Sequence, residues 1–278
     1  MYVLELFAGA GGGILGHLLL GHTVVGAVEI GGACRSLLLE RQRDFALPLF
    51  PVWDDVRTFR ADNPECADYI GWLRSIGEDL CVAGGFPCQN VSCSGPGGGV
   101  NGEKSGLWRE MARIVGEIEP AAVFAENSPL LASRGLDVVL QDLASMGYDA
   151  RWCTLGGGHL GYPTKRDRIW ILGEHHRDHG RVFDAGQQPR CDYAKLLWSD
   201  AELGPLEDAD KARLLAHGLA AGAPDGVAGR VESARAVGNG QIPAVAALAW
   251  GILTGDIRQA AAARAGETAA DEKTAEAA

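Results

Sequence analysis

Positive charge is what this chain has least to spare. Lys and Arg number 25 against 36 Asp and Glu over 278 residues, a formal net charge of -11. That balance excludes a surface that is basic all over, the usual footprint of a phosphate-gripping protein. It does not exclude a local basic groove, because the field at a site follows its nearest charges. Part of the acidity sits in residues 259–278, where Glu267, Asp271, Glu272 and Glu276 face only Arg264 and Lys273 in an Ala-rich stretch. Such a tail is expected to fray. Long apolar runs are also missing: residues 18–20 and 244–253 are too short or too broken to span a bilayer, so no membrane segment is expected. The first residues carry no basic patch and no cleavage pattern, so no signal peptide is expected. The seven cysteines are odd in number and scattered, which argues against a disulfide scaffold and for a reducing, cytoplasmic setting. His175, His176 and His179 lack a cysteine or carboxylate set at ligand spacing, so no metal is expected.

What is present is a sizeable core. Hydrophobic residues make up 47% and charged ones 22%, which rules out wholesale disorder. Short apolar runs at residues 2–7, 22–29, 80–83, 121–125 and 169–172 read as strands. Between them, 14–20, 33–44, 107–118 and 136–146 read as helices. This alternation predicts βαβ units and a largely parallel sheet. The pattern breaks after Glu174. Residues 175–229 are irregular, with Pro189, Pro205 and Pro224 and one helix expected near 208–219. Order returns at 235–254, where a Gly-Asn turn precedes a helix opened by Pro243. No internal repeat is found.

Four clusters carry chemistry. The run from Phe7 and Ala8 through Gly9, Gly11, Gly13 and Gly16 follows a strand and opens a helix. Glycines there allow close backbone approach to a ligand, and the helix N-terminus favours a negative group. Glu29 ends the next strand, placed to accept hydrogen bonds from ribose hydroxyls. Nicotinamide and S-adenosylmethionine enzymes share this geometry equally, and a ligand-free tight turn is the plainer alternative.

The second cluster, Gly84 to Ser92, contains Pro87 and Cys88 at a carboxyl strand end, where open α/β sheets bind ligands. A thiolate there suits attack on an electron-poor ring carbon. The other six cysteines read as small buried hydrophobes. The following Gly95, Gly97, Gly98, Gly99 and Gly102 suit a lid or a passive flexible loop. The third cluster is Glu126-Asn127-Ser128-Pro129, again just past a strand. A carboxyl group at that place could hold or protonate a ring nitrogen, and burial would raise its pKa towards the working range. The fourth is Lys165-Arg166-Asp167-Arg168, where alternation puts two guanidiniums on one face. They suit a phosphate or base carbonyl; a salt-bridged strand entrance is the plainer reading.

In this order and spacing the segments resemble the cytosine-C5 DNA methyltransferases. The likeness runs through the glycine loop 5–16, Glu29, Asp55-Val56, the Pro87-Cys88-Gln89 loop, Glu126-Asn127, Arg166-Asp167-Arg168 and Gly238-Asn239 with Pro243. It spans residues 1–173 and 233–255, with 105–118 and 136–152 resembling the family's helices. The resemblance implies an α/β, Rossmann-like S-adenosylmethionine-dependent methyltransferase fold with a small inserted target-recognition domain. On that basis residues 1–173 form the catalytic and cofactor-binding domain and 174–234 the recognition region. Residues 235–258 return to the catalytic domain, and 259–278 form the tail.

The resemblance also assigns roles. Cys88 would add to ring carbon 6 of cytosine, while Glu126 holds and protonates the ring at nitrogen 3. Arg168 would bind the base oxygen or nearby backbone, supported by Arg166. Cofactor contacts fall to Phe7, Ala8, Gly9 and Gly11 at the methionine end, Glu29 at the ribose, Asp55 at the adenine amine, and Pro87 and Asn239. The implied partner is double-stranded DNA with its target base flipped out, met by a monomer. The compact form resembles small bacterial or phage-borne members, some of which serve restriction-modification systems.

The chain departs from the family at Thr164, where Gln is usual, and at Ser128, where Val is common. It departs again in the short stretch 174–235 and in the Arg- and Leu-rich motif, of which 214–224 keeps only a degraded trace. Open alternatives are the same chemistry on RNA, such as tRNA, and a degenerate cofactor- or DNA-binding regulator without turnover. A nicotinamide oxidoreductase ranks last, since it explains neither Cys88 nor Glu126.

Overall fold

The computed structural model describes residues 1–87, 106–160, 162, 166–176 and 240–255. Cys88, the glycine-rich loop after it, Thr164, Lys165, nearly all of the 174–234 region, Asn239 and the tail lie outside the described residues.

The described residues build one seven-stranded sheet. In chain order its elements begin with β1 Tyr2–Leu6, α1 Gly12–Leu19, β2 Thr23–Val28, α2 Gly32–Arg43, β3 Val52–Trp53 and α3 Ala67–Ser75. Next come β4 Leu80–Gly85, α4 Gly106–Ile118, β5 Ala122–Asn127, α5 Leu131–Arg134 and α6 Leu136–Ser145. The last are β6 Tyr148–Leu155, β7 Arg168–His175 and a final helix, α7, Pro243–Thr254. The strand order is β3-β2-β1-β4-β5-β7-β6. β1 pairs in parallel with β2 and with β4, and β5 joins β4 in parallel. β7 is antiparallel to both β5 and β6. The parallel sheet expected from the sequence therefore covers the first five strands, and an antiparallel pair closes one edge.

The strand order reverses between β1 and β4. The chain leaves β1 towards β2 and β3, then crosses back to lay down β4 and β5 on the other side. The carboxyl ends of β1 and β4 thus flank a crevice, the place where open α/β sheets bind ligands.

Strand alternation divides the core in two. Leu4, Leu6 and Val82 face α3, α4 and α6 through Ile70, Leu73, Trp108, Met111, Ile114 and Val139. Val3, Ala83, Phe124, Trp170 and Leu172 face the other way, against Ile14, Leu38, Ala246, Ala249, Trp250 and Leu253 of α1, α2 and α7. α4 is helical because its buried residues, Trp108, Met111, Ile114, Val115 and Ile118, recur at three- and four-residue spacing. α7 opens at Pro243, whose missing N–H costs nothing in a first turn. It is apolar nearly all round, as a helix wedged between α1 and the sheet must be.

One helical likeness needs correcting. The helix read at 136–146 is present, but the family likeness that ran on to 152 does not hold as helix: α6 stops at Ser145 and the chain turns at Gly147, whose φ is +86°. Tyr148–Leu155 is an edge strand, with Tyr148, Cys153 and Leu155 buried and Asp149 and Thr154 exposed.

Candidate active site

β1 points successive side chains to opposite faces, so Glu5 lies on the α1/α7 side with Val3. It is buried, 2% exposed, in a strand whose neighbours are apolar. Burial first, and the charge of Glu126 second, push its carboxyl up to about 8. Glu5 therefore stays neutral at pH 7.

Beyond β1 the chain turns sharply. Phe7 has φ +54°, Gly9 +53° and Gly11 +90°, with Gly11 N–H closing the turn on Ala8 C=O at 2.9 Å. A side chain at Gly11 would be strained in that left-handed conformation. α1 begins here with no side-chain cap and no acidic residue in its first turn. Its first N–H groups form a cradle suited to an anionic or polar ligand group.

Glu29 follows β2 and turns back to the same loop. One carboxylate oxygen accepts from Gly9 N–H at 2.7 Å and the other from Gly31 N–H at 2.6 Å. Each oxygen keeps a second lone pair for a ligand hydroxyl. Asp55, past β3, is held differently. Its two oxygens grip the Arg57 guanidinium, at 3.0 Å from Nε and 2.7 Å from Nη2, and that partner holds the Asp55 carboxyl below its usual range. The sequence reading assigned Asp55 to an adenine amine; a ligand there has to compete with Arg57.

β4 delivers the start of the thiol loop. Phe86 is buried against Trp108, ring centroids 5.3 Å apart, and its C=O accepts from Asn127 Nδ2 at 3.1 Å. Pro87 follows at the rim of the crevice, and Cys88 is the first residue outside the described part. The buried Asn127 thus ties the root of that loop to β5, a role that the Glu126-Asn127 pair leaves unsaid in the sequence.

Glu126 lies on the same face as Glu5. Arg168, at the start of β7, donates through Nε to Glu126 Oε1 at 2.7 Å. Arg166 has φ +28°, just before the strand, and its Nη2 donates to Gly240 C=O. Burial raises the Glu126 carboxyl while Arg168, Arg166 and a hydrogen bond from Gln241 pull it down; burial wins and leaves it at about 6. A carboxyl there is partly protonated near neutrality, as an acid in catalysis requires. Two guanidiniums thus act on one carboxyl within an acidic chain.

The structure thus brings Phe7, Ala8, Gly9, Gly11, Glu29, Pro87, Glu126, Arg166 and Arg168 to the carboxyl-end side of the sheet. Cys88 and Asn239 fall outside the described residues. Sequence reasoning passed over Glu5 as a site residue, and Gln241 altogether. A carboxylate inside an apolar strand is the signal that marks Glu5; Gln241 has none. Among the described residues no group of three or more His, Cys, Asp or Glu could hold a metal ion, and no helix is long and apolar enough to cross a membrane.

A doubly wound sheet with this glycine turn and this switch-point crevice has the Rossmann-like methyltransferase fold. Likeness to a solved structure agrees at the level of fold. A candidate DNA modification methyltransferase encoded within an E. coli prophage superposes with a TM-score of 0.51 at 23% identity, covering 68% of this chain and 51% of that one. The profile described as C-5 cytosine-specific DNA methylase matches residues 1–196. The chain belongs to that family.

Curated relatives are all-round larger. The type II methyltransferase M.CviJI of Paramecium bursaria Chlorella virus IL3A is 34% identical over 172 residues, 61% of this chain and 42% of that protein. M.Sau96I of Staphylococcus aureus is 32% identical over 177 residues, 62% of this chain and 38% of that protein. M.PspPI of a Psychrobacter is 31% identical over 218 residues, 75% of this chain and 47% of that protein. The matched stretch therefore spans less than half the length of these relatives.

Proposed function

We propose that this chain transfers a methyl group from S-adenosylmethionine to carbon 5 of cytosine in double-stranded DNA. The observation that carries the reading is Glu126: a buried carboxyl at about 6, clamped by Arg168 at 2.7 Å and one residue from the Asn127 that anchors the thiol loop. Family membership supplies the reaction class.

The residues present fit the cofactor. The uncapped α1 N-terminus and the Gly9–Gly11 turn offer N–H donors and room for its methionine end. Glu29 keeps lone pairs for its ribose, and Phe7, Ala8, Pro87 and Asn239 are assigned to the walls. When bound, S-adenosylmethionine supplies an electrophilic methyl group on a sulfonium. Asp55 meets the adenine amine once Arg57 yields.

Carbon 5 of cytosine is a poor nucleophile, and the chain's task is to activate it. Cys88 adds as a thiolate to ring carbon 6. Glu126 protonates nitrogen 3, so charge does not build on the ring. Arg168 orients Glu126 and is left with N–H donors for the base carbonyl, while Arg166 braces the turn through Gly240. After transfer, water removes the proton from carbon 5, Cys88 leaves as a thiolate, and the proton on nitrogen 3 returns to Glu126. The target carbons are hidden in a stacked duplex, so the base is flipped out. The domain division at 173/174 and 234/235, a monomeric state and a cytoplasmic setting complete the proposal.

A trapping experiment tests it. A duplex carrying 5-fluorocytosine has no proton at carbon 5 to remove, so with S-adenosylmethionine the enzyme should remain covalently attached on a denaturing gel. Cys88→Ser should give no adduct. An adduct with RNA alone would move the substrate to RNA, and no adduct from protein that binds S-adenosylmethionine would favour the non-catalytic regulator.

A further inference from the structure

We propose that Gln241 and Glu5 are positioning residues for Glu126, with a neutral Glu5 carboxyl fixing the Gln241 amide and that amide aiming Glu126 at the substrate ring. The inference rests on the reading of Glu126 given above.

Gln241 sits just before α7, far from both carboxyls in sequence, yet its side chain lies between them. On one side it hydrogen-bonds Glu126. A Cβ built on Gly85 would lie 2.4 Å from Glu126 Oε2 and 3.1 Å from Gln241 Nε2, so those two atoms share the space over Gly85. On the other side, a Cβ on Gly13 would lie 2.1 Å from Glu5 Oε1 and 2.7 Å from Gln241 Oε1. The amide thus turns its N–H donors to Glu126 and its carbonyl oxygen to Glu5. Two oxygens facing each other in a buried space repel unless one carries a proton. An amide oxygen carries none, so the proton belongs to Glu5, consistent with a carboxyl raised to about 8.

The other groups facing Glu5 do not displace that assignment. His17 of α1 lies with Nε2 at 3.9 Å from Glu5 Oε2, too far for a hydrogen bond, and burial beside His22 keeps it neutral down to about 3. Cys81 of the adjacent β4 is buried and its thiol is raised. Among the described residues, Glu126 is the anion whose charge raises it.

The consequence reaches beyond one hydrogen bond. Gln241 belongs to the segment that returns to the sheet after residues 174–234. A Cβ on Gly12 would meet Gln241 C=O at 2.2 Å, so that segment packs directly on the first turn of α1. The acid is correctly aimed only when the return segment is seated, which couples the catalytic carboxyl to the chain that carries target recognition.

The test uses the full chain. The apparent pKa of Glu126 is read from its side-chain carboxyl carbon by NMR, and single-turnover methyl transfer is followed against pH at saturating S-adenosylmethionine and DNA. Gln241→Met removes the donor while keeping length; Gln241→Asn is the second variant should the first fold poorly. The Glu126 midpoint should rise, because its charged form loses a donor. The transfer plateau should fall about tenfold, with S-adenosylmethionine affinity unchanged within about twofold, as for a lost orienting contact. Glu5→Leu should repeat that loss, and Glu5→Gln, which keeps a donor facing the amide oxygen, should restore most of it. An unmoved Glu126 midpoint in a folded Gln241 variant overturns the proposal. Should the wild type transfer no methyl group at all, the function fails, and the NMR titration still decides the positioning.

Discussion

Glu126 and Arg168 show how burial and pairing set opposite demands on one carboxyl. Burial raises the Glu126 carboxyl and the two guanidiniums with Gln241 lower it; together they hold it at about 6. Glu126→Gln keeps the shape but removes the transferable proton, and should lower kcat by about 10²-fold or more while S-adenosylmethionine binds as before by calorimetry. Glu5 answers to burial without a cation. Below pH 4.5 it is protonated in folded and unfolded chains alike. Between there and about pH 8 only the unfolded chain ionises, so the stability this group contributes drains away as pH rises. Glu5→Gln should therefore gain melting temperature over the wild type by a margin that grows from pH 5 to pH 8. A margin that is flat with pH would show that Glu5 ionises normally. His17 works in the opposite direction: its neutral form is favoured, so its contribution is present above pH 6.5 and lost as pH falls towards 3. Asp55 is occupied by Arg57, a largely exposed partner. Arg57→Ala should leave the melting temperature nearly unchanged and tighten S-adenosylmethionine binding severalfold by releasing the Asp55 carboxylate.

At the scale of elements, the site is built where the glycine turn, the thiol-loop root and the return segment crowd together. Gly13 is the tightest point: a Cβ added there would lie 2.1 Å from Glu5 Oε1 and 2.7 Å from Gln241 Oε1. Gly13→Ala should cost about 2 kcal/mol in urea unfolding, typical of overpacking, and should slow methyl transfer by displacing Gln241. Much of this was legible in sequence. Strands β1, β2, β4, β5 and β7 are buried on both faces and read as apolar runs, and α4 shows its buried stripe plainly. β6 was not legible, because an edge strand with Asp149, Arg151 and Thr154 between its apolar residues lacks such a run and continues smoothly from α6. β3 has two residues, and α3 buries only Ile70 and Leu73 among polar and exposed neighbours such as Asp68 and Arg74. The carboxylates of Glu29 and Glu126 were recognisable from their positions at strand ends. The partners that set their behaviour, Gly31 apart, come from distant segments and have no local signature; Gln241 is the clearest case.

For the molecule as a whole, a net charge of -11 and the proposed DNA substrate look opposed. The site eases the conflict locally, where Arg166 and Arg168 both stand near the Glu126 carboxyl. The family profile ends at residue 196, and the curated relatives carry more than half their length outside the matched stretch. The seven-stranded sheet lies within the profile's residues 1–196, and target choice is expected to rest on side chains outside it, since specificity is read by the few groups that reach base edges. The most direct test of the central claim is nucleoside mass spectrometry on DNA and RNA from cells expressing the chain, beside cells expressing Cys88→Ser. 5-Methylcytosine should rise in DNA with the wild type and be absent with the variant. No rise in DNA with the wild type, or a rise that survives Cys88→Ser, would contradict that claim.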